Sequence, residues 1–316
     1  MKVLCIGEAL IDMICTDKGK SLSAGNNFLK KPGGAPTNVA AAIAALGGRV
    51  ELAAKVGNDP FGKQLIEVMQ SFGVGTSSML TDKKHFTTFA FVSLMEDGER
   101  DFVFNRGADG ELNVEEIDSI DLRDVSIIHF GSATAFLPGP LQTAYLHLLE
   151  KAIYLNIFIS FDPNYRHLLF QNNTEIFIEQ SWHFLQHCDF FKLSDEEAML
   201  ITKTDSLEKA TQQLQEKTNT IFAITLGKEG TLLSMNGEKH TIESIPVKPV
   251  DTTGAGDAFV GAVLYQLSHR SKTQIAEMNL LDWKLIIENA NKAGARTCEY
   301  LGAMEAFAFL NNQIFN

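Results

Sequence analysis

The chain is poor in cysteine, in positive charge and in long apolar runs. Its four cysteines (Cys5, Cys15, Cys188, Cys298) are scattered over 316 residues with no C-x-x-C pair. That argues against a disulfide framework or a cysteine-based zinc site and fits a reducing compartment. No apolar run approaches the ~18 residues that a membrane helix needs. An N-terminal apolar stretch with a cleavage signal is also missing. The chain enters a strand pattern at once, and a cytoplasmic protein is expected. Lysine and arginine number 27 against 39 aspartates and glutamates, for a net charge of −12. Nucleic-acid or anionic-membrane partners would favour the opposite balance. A phosphate ligand stays open, since a few local amides and cations suffice. Two common nucleotide signatures are absent. No Lys-Ser or Lys-Thr follows a glycine loop at P-loop spacing, and no G-x-G-x-x-G opens the first βαβ unit. Internal repeats and low-complexity segments are lacking too.

What remains is an ordinary globular composition, 45% hydrophobic and 21% charged. Short continuous apolar runs at Val3–Ile6, Ser126–Phe130, Ile157–Phe161, Phe190–Leu193 and Ile221–Thr225 read as buried strands. Between them lie helical patterns at Pro36–Leu46, Phe61–Phe72, Pro140–Leu155, Glu175–Gln186, Leu207–Lys217, Ala258–Ser268 and Trp283–Cys298. Gly47-Gly48 supplies a C-terminal stop, and Asp59-Pro60 an N-cap followed by proline. This alternation predicts an α/β fold with a parallel sheet covered on both faces. One region departs from it. Phe86–Met95 and Asp101–Phe104 flank Glu96-Asp97-Gly98-Glu99, a hairpin turn signal, and Leu10–Cys15 supplies a further strand. A small separate β-sheet, formed by about residues 10–32 and 86–108, is expected as a lid on a single 1–316 domain.

Three motifs carry chemistry. Thr252-Thr253-Gly254-Ala255-Gly256-Asp257-Ala258-Phe259 puts a glycine-rich turn, a carboxylate and an apolar helix start in succession. Free amides at a helix start attract anions, and a carboxylate there would repel them. The conflict resolves if Asp257 accepts a proton from an alcohol while the Gly254, Ala255 and Gly256 amides hold charge on a transferring phosphoryl group. Taken alone, the motif is equally a capped helix with a first-turn carboxylate favoured by the dipole. In Gly33-Gly34-Ala35-Pro36-Thr37-Asn38, the glycines let backbone approach a ligand, and Asn38 offers both a donor and an acceptor, as a sugar hydroxyl requires. Gly7–Asp12 places a carboxylate beyond a strand end, able to accept from two neighbouring hydroxyls.

Together with Asp162-Pro163-Asn164-Tyr165-Arg166, Lys192–Glu197 and Thr225-Leu226-Gly227, these motifs resemble the ribokinase-like (PfkB) sugar kinases nearly end to end, and the bacterial fructokinases in particular. The resemblance implies a three-layer α/β/α domain with a β lid and ATP-dependent phosphorylation of a sugar hydroxymethyl group. It implies Asp257 as base, and Asp12, Gly33, Gly34, Asn38, Arg106, Asn164 and Arg166 on the sugar side. On the nucleotide side it implies Lys192, Thr225, Gly227, Gly230 and Asn291. Magnesium would be held through water and phosphates near Glu197, with Ser194 where many members have asparagine. Asp251 and Thr253 correspond to a loop for potassium, although Glu299-Tyr300 departs from the usual pattern there. Exposed lid edges leave a homodimer open. A kinase for ribose, 2-keto-3-deoxygluconate or a nucleoside, and a non-catalytic sensor of the same fold, are the alternatives to a fructokinase.

Overall fold

A computed structural model describes residues 1–95 and 100–315. The strands in chain order are β1 (Lys2–Ile6), β2 (Leu10–Cys15), β3 (Phe28–Gly33), β4 (Val50–Gly57), β5 (Met79–Asp82), β6 (Thr88–Leu94), β7 (Arg100–Asn105), β8 (Val125–Phe130), β9 (Phe158–Phe161), β10 (Phe190–Ser194), β11 (Ile221–Thr225), β12 (Thr231–Met235) and β13 (Glu238–Ile242). Nine of them form one sheet in the order β13-β12-β11-β10-β9-β8-β1-β4-β5, parallel from β5 to β11. β12 runs antiparallel to both neighbours.

β1 shows why helices cover both faces. Val3 and Cys5 enter one core, Leu4 and Ile6 the other, and all four are fully buried. The first core packs under the helices Ala35–Ala45, Ala255–Leu267 and Leu280–Thr297. The second packs under Pro140–Tyr154, Thr174–Leu185 and Leu207–Lys217. β1 is also the switch point, with β4 on one side and β8 on the other. Open α/β sheets bind ligands in the crevice beyond the strand ends at such a point.

The remaining strands make a four-stranded sheet, β3-β2-β6-β7. Met13 and Phe89 turn one of its faces toward the first core, and Phe89 meets Phe61 edge-on at 4.9 Å. The expected pairing of Phe86–Met95 with Asp101–Phe104 is an antiparallel ladder of β6 and β7. The turn signal at Glu96–Glu99 lies outside the described residues. β3 was not expected as a strand, and it ends on Gly33 itself.

Two helices matter most for the site. Ala35–Ala45 and Ala255–Leu267 approach so closely that a Cβ on Gly261 would stand 2.7 Å from Ala42 Cβ. Asn38 lies four residues before Ala42, and Asp257 four before Gly261. Residues four apart share a helix face, so the close contact also brings the two polar side chains together one turn nearer the N-termini.

Candidate active site

Asn38 Nδ2 donates to Asp257 Oδ2 at 2.8 Å across 219 positions of sequence. Asn38 Oδ1 is buried with no partner. Asp257 is itself buried, and burial pushes its carboxyl up from the ordinary value, opposed by the Asn38 hydrogen bond and the Arg166 and Lys192 charges. A carboxylate with a raised pKa is a better proton acceptor near neutral pH. The arrangement therefore sets an acceptor for a proton beside an unused acceptor for a second hydroxyl.

The turn before Asp257 is fixed by glycine. Gly254 caps the helix with φ 80°, and a Cβ there would stand 2.4 Å from Ala303 Cβ. The helix starts at Ala255, three residues earlier than the sequence pattern suggested, which makes Asp257 its third residue. This corrects the expected set of three free amides. Ala255 N–H donates back to Thr252 O at 3.2 Å, while Gly254 and Gly256 N–H have no backbone partner among the described residues. The Lys192 ammonium faces the same turn, 3.3 Å from where a Gly256 Cβ would stand.

Asp12 sits on β2 with its carboxylate over Gly33. A Cβ on Gly33 would lie 2.1 Å from Asp12 Oδ2. Gly33 thus makes room for Asp12. Burial pushes the Asp12 carboxyl up to about 6, with Arg166 acting the other way. The Arg166 charge bears on both Asp12 and Asp257, so one cation faces the carboxylates of the small sheet and of the glycine turn. Its guanidinium is held by Tyr165 O at 3.1 Å and Asn164 Oδ1 at 3.3 Å. Asn164, at φ 48°, donates to Gly131 O at 3.1 Å, so its amide shapes the loop that presents Arg166. Gly34 begins the Ala35–Ala45 helix at φ 107°, where a Cβ would stand 2.4 Å from Glu8 O.

Several expected residues are engaged within the protein. Glu197 accepts from Tyr165 N and Ser194 N, both at 2.8 Å, and closes a capping box with Ser194. Among the described residues no group of three or more His, Cys, Asp or Glu could hold a metal. Arg106 is bonded to backbone carbonyls of the 134–138 loop. Its guanidinium donates to Pro138 O at 2.7 Å and Thr134 O at 3.1 Å, beside Asp109. Asn291 accepts from Thr231 Oγ1 at 2.6 Å and donates to Ile242 O and Glu243 O. That commits the whole amide to holding helix Leu280–Thr297 against the β12–β13 edge. Thr225 Oγ1 donates to Leu193 O at 3.3 Å. Gly227 at φ 58° has open space around it, and a Cβ on Gly230 would strike Ile242 O at 2.1 Å. Asp251 Oδ1 accepts from Thr253 N and Oγ1, and its Oδ2 from Gly302 N at 2.9 Å. These bonds outweigh burial and hold the Asp251 carboxyl below its ordinary value.

Two buried carboxylates had no individual role assigned from sequence. Asp162 Oδ2 accepts from Lys192 Nζ at 3.2 Å. Glu8 accepts from Ala35 N at 3.1 Å and Ser132 Oγ at 2.5 Å. Thr134 Oγ1 links Glu8 to Asp109, donating to Asp109 at 2.8 Å. Glu8 lies two residues before the start of β2, and its position one residue after Gly7 was the only available signal.

The family model "pfkB family carbohydrate kinase" matches residues 1–308. The chain belongs to the PfkB family of carbohydrate kinases. It is accordingly a phosphotransferase acting on a sugar alcohol group. Fructokinase-1 of Zea mays is 35% identical over 305 residues, covering 96% of this chain and 93% of that protein. The solved fructokinase of Xylella fastidiosa with bound ATP superposes with a TM-score of 0.87 at 28% identity, over 99% of this chain and 96% of that one. Fructokinase from Vibrio cholerae O395, solved with fructose, ADP and calcium, gives 0.82 at 30% identity, over 99% and 97%. Among the described residues of this PfkB chain no helix is long and apolar enough to cross a membrane.

Proposed function

We propose that this PfkB kinase transfers the γ-phosphoryl group of ATP to the 6-hydroxyl of fructose. The observation that carries the reading is the Asn38–Asp257 pair, with Asp257 buried and Asn38 Oδ1 left without a partner. Asp12 would accept from sugar hydroxyls on the other side, and Arg166 would balance the two carboxylates. Asp257 takes the proton of the attacking hydroxyl. The Gly254 and Gly256 amides and the Lys192 ammonium lie where negative charge grows on the transferring group. Thr225, Gly227 and Gly230 shape the nucleotide side, with Asn291 bracing its wall. Among the described residues there is no protein cage for a metal, so magnesium fits as a companion of the ATP phosphates, neutralising their charge. Glu197 keeps lone pairs for a metal-bound water. The similarity to fructokinases solved with ATP or with fructose supports this assignment.

The four-stranded sheet is read as a lid that excludes water from the sugar. The face that carries Asp12 also exposes Ile14, Leu29 and Leu94, at 40%, 40% and 60%. A second copy of the chain is the occupant proposed for that apolar strip, and a monomeric mass by light scattering would remove it. The four free cysteines fit a reducing cytoplasm.

The test is a coupled ADP-release assay over fructose, ribose, 2-keto-3-deoxygluconate and nucleosides, with magnesium and with or without potassium. Fructose is expected to give the highest kcat/KM, and another preferred acceptor would displace the fructose reading. Asp257→Ala is expected to lose about 10²–10⁴-fold in kcat while still binding ATP. Near-normal turnover in that variant removes Asp257 from the role of base.

A further inference from the structure

Asp162 is fully buried and directly follows β9. The parallel register pairs Phe161 with Phe191, so Asp162, just past the end of β9, comes beside Lys192 in the middle of β10. Asp162 N–H donates to Phe130 O at 3.0 Å, and its Oδ1 accepts from Asn164 N at 3.3 Å. Its other oxygen, Oδ2, holds Lys192 Nζ at 3.2 Å. The backbone of Asp162 is therefore tied to β8, and its carboxylate is held between the Asn164 amide N–H and the Lys192 ammonium.

Lys192 Nζ is held by this bond and faces the glycine turn at Gly256. Its remaining N–H donors suit a phosphoryl oxygen. A lysine side chain is a point charge on a flexible four-carbon stem. Among the described residues Asp162 alone hydrogen-bonds the Lys192 ammonium. Glu197 from the Asp195–Thr202 helix and Asp257 from the Ala255–Leu267 helix also bear on the ammonium. From β8, His129 is kept neutral by burial and by Lys192 itself, and its Nε2 is buried without a partner.

Resting on the kinase reading above, we propose that Asp162 is a positioning residue for phosphoryl transfer. It fixes the Lys192 ammonium against the Gly254–Gly256 turn and does not itself touch substrate. The residue then acts through Lys192, and its removal matters only while Lys192 is present.

The experiment compares wild type, Asp162→Asn, Lys192→Met and the double variant of the full chain in the fructose and MgATP assay, with thermal melts alongside. Lys192→Met is expected to lower kcat by about 10²-fold, as loss of a single stabilising donor does. Asp162→Asn should lower kcat by roughly tenfold or more, with the fructose KM held within about twofold. The double variant should match Lys192→Met within about twofold, since contributions that act as a unit do not add. Asp162→Asn leaves a buried ammonium unpaired and could unfold. In that case the double variant, which removes both charges, is compared with Lys192→Met, and equality supports the proposal. A further large loss in the double variant, wild-type kcat in Asp162→Asn, or recovery of that variant by excess magnesium overturns it. The last result would make Asp162 a metal-holding group. A wild type inactive on every sugar fails the functional reading itself, before any variant is compared.

Discussion

Gly33→Ala is a minimal change with a calculable consequence. Gly33 ends β3 without a positive φ, so alanine fits its backbone. Strand interiors favour alanine over glycine by roughly 0.5–1 kcal/mol. Folding should therefore hold. The new methyl, however, would stand 2.1 Å from Asp12 Oδ2, 3.0 Å from Asp12 Cγ and 3.2 Å from Leu10 Cδ1. Ordinary contact begins near 3.4 Å, so the carboxylate must retreat by about 1.3 Å. Leu10 is buried and gives little, which leaves the Asp12 carboxylate as the group that moves. A misplacement of about 1 Å in a group that orients substrate costs up to about 10²-fold. We expect kcat/KM for fructose to fall by about 10–10²-fold, mostly through KM, with the KM for ATP and the melting temperature nearly unchanged. The coupled ADP-release assay reads the first pair and a thermal melt the last. Asp12→Asn should give a loss of the same kind, and the two together should not multiply. A Gly33→Ala variant within about twofold of wild type on fructose, beside an impaired Asp12→Asn, would refute the argument that Gly33 exists to seat Asp12.

Three other outcomes follow from the geometry. Asp12 accepts hydroxyl hydrogen bonds on both oxygens only when ionised, and its carboxyl is pushed up to about 6. The KM for fructose should rise as pH falls through about 6 and flatten in Asp12→Asn; a pH-independent wild-type KM contradicts this. Asn291→Ala strips two carbonyls and the Thr231 hydroxyl of their partner. It should destabilise the fold by about 1–3 kcal/mol in denaturant titration and raise the KM for ATP, whereas an unchanged midpoint denies the brace. Arg106→Lys cannot reach Thr134 O and Pro138 O with one fork. It should increase ATP hydrolysis without sugar; if hydrolysis stays coupled, Arg106 does not steady the lid.

The parts legible in the sequence are those where local chemistry is unusual. Glycines at 254 and 256 before a buried carboxylate announced the turn, and the Ala-rich run after Pro36 announced its partner helix. β4 was hidden because its Val50–Gly57 run includes Glu51 and Lys55, which read as surface. Both are buried because distant partners answer them, Lys2 and Ser78 for Glu51 and Glu116 for Lys55. Arg106 had the composition of a substrate contact and the geometry of a brace, a distinction set by where the 134–138 loop lies. Asp162 entered the sequence reading only as part of the motif ending at Arg166, since its bond to Lys192 depends on the register of two strands 30 positions apart. Long-range pairing of this kind leaves no periodicity to read.

The glycine turn is closed from behind by the last tenth of the chain. Gly254 lies against Ala303 and Phe307, and Asp251 is bonded to Gly302, 51 residues further on. Synthesis therefore delivers Asp12 and Asn38, proposed for the sugar side, first, then Asp257, and only afterwards the wall behind the turn. A nascent chain, or a product cut short before Ala303, would carry Asp12, Asn38 and Asp257 without an ordered seat for the phosphoryl group.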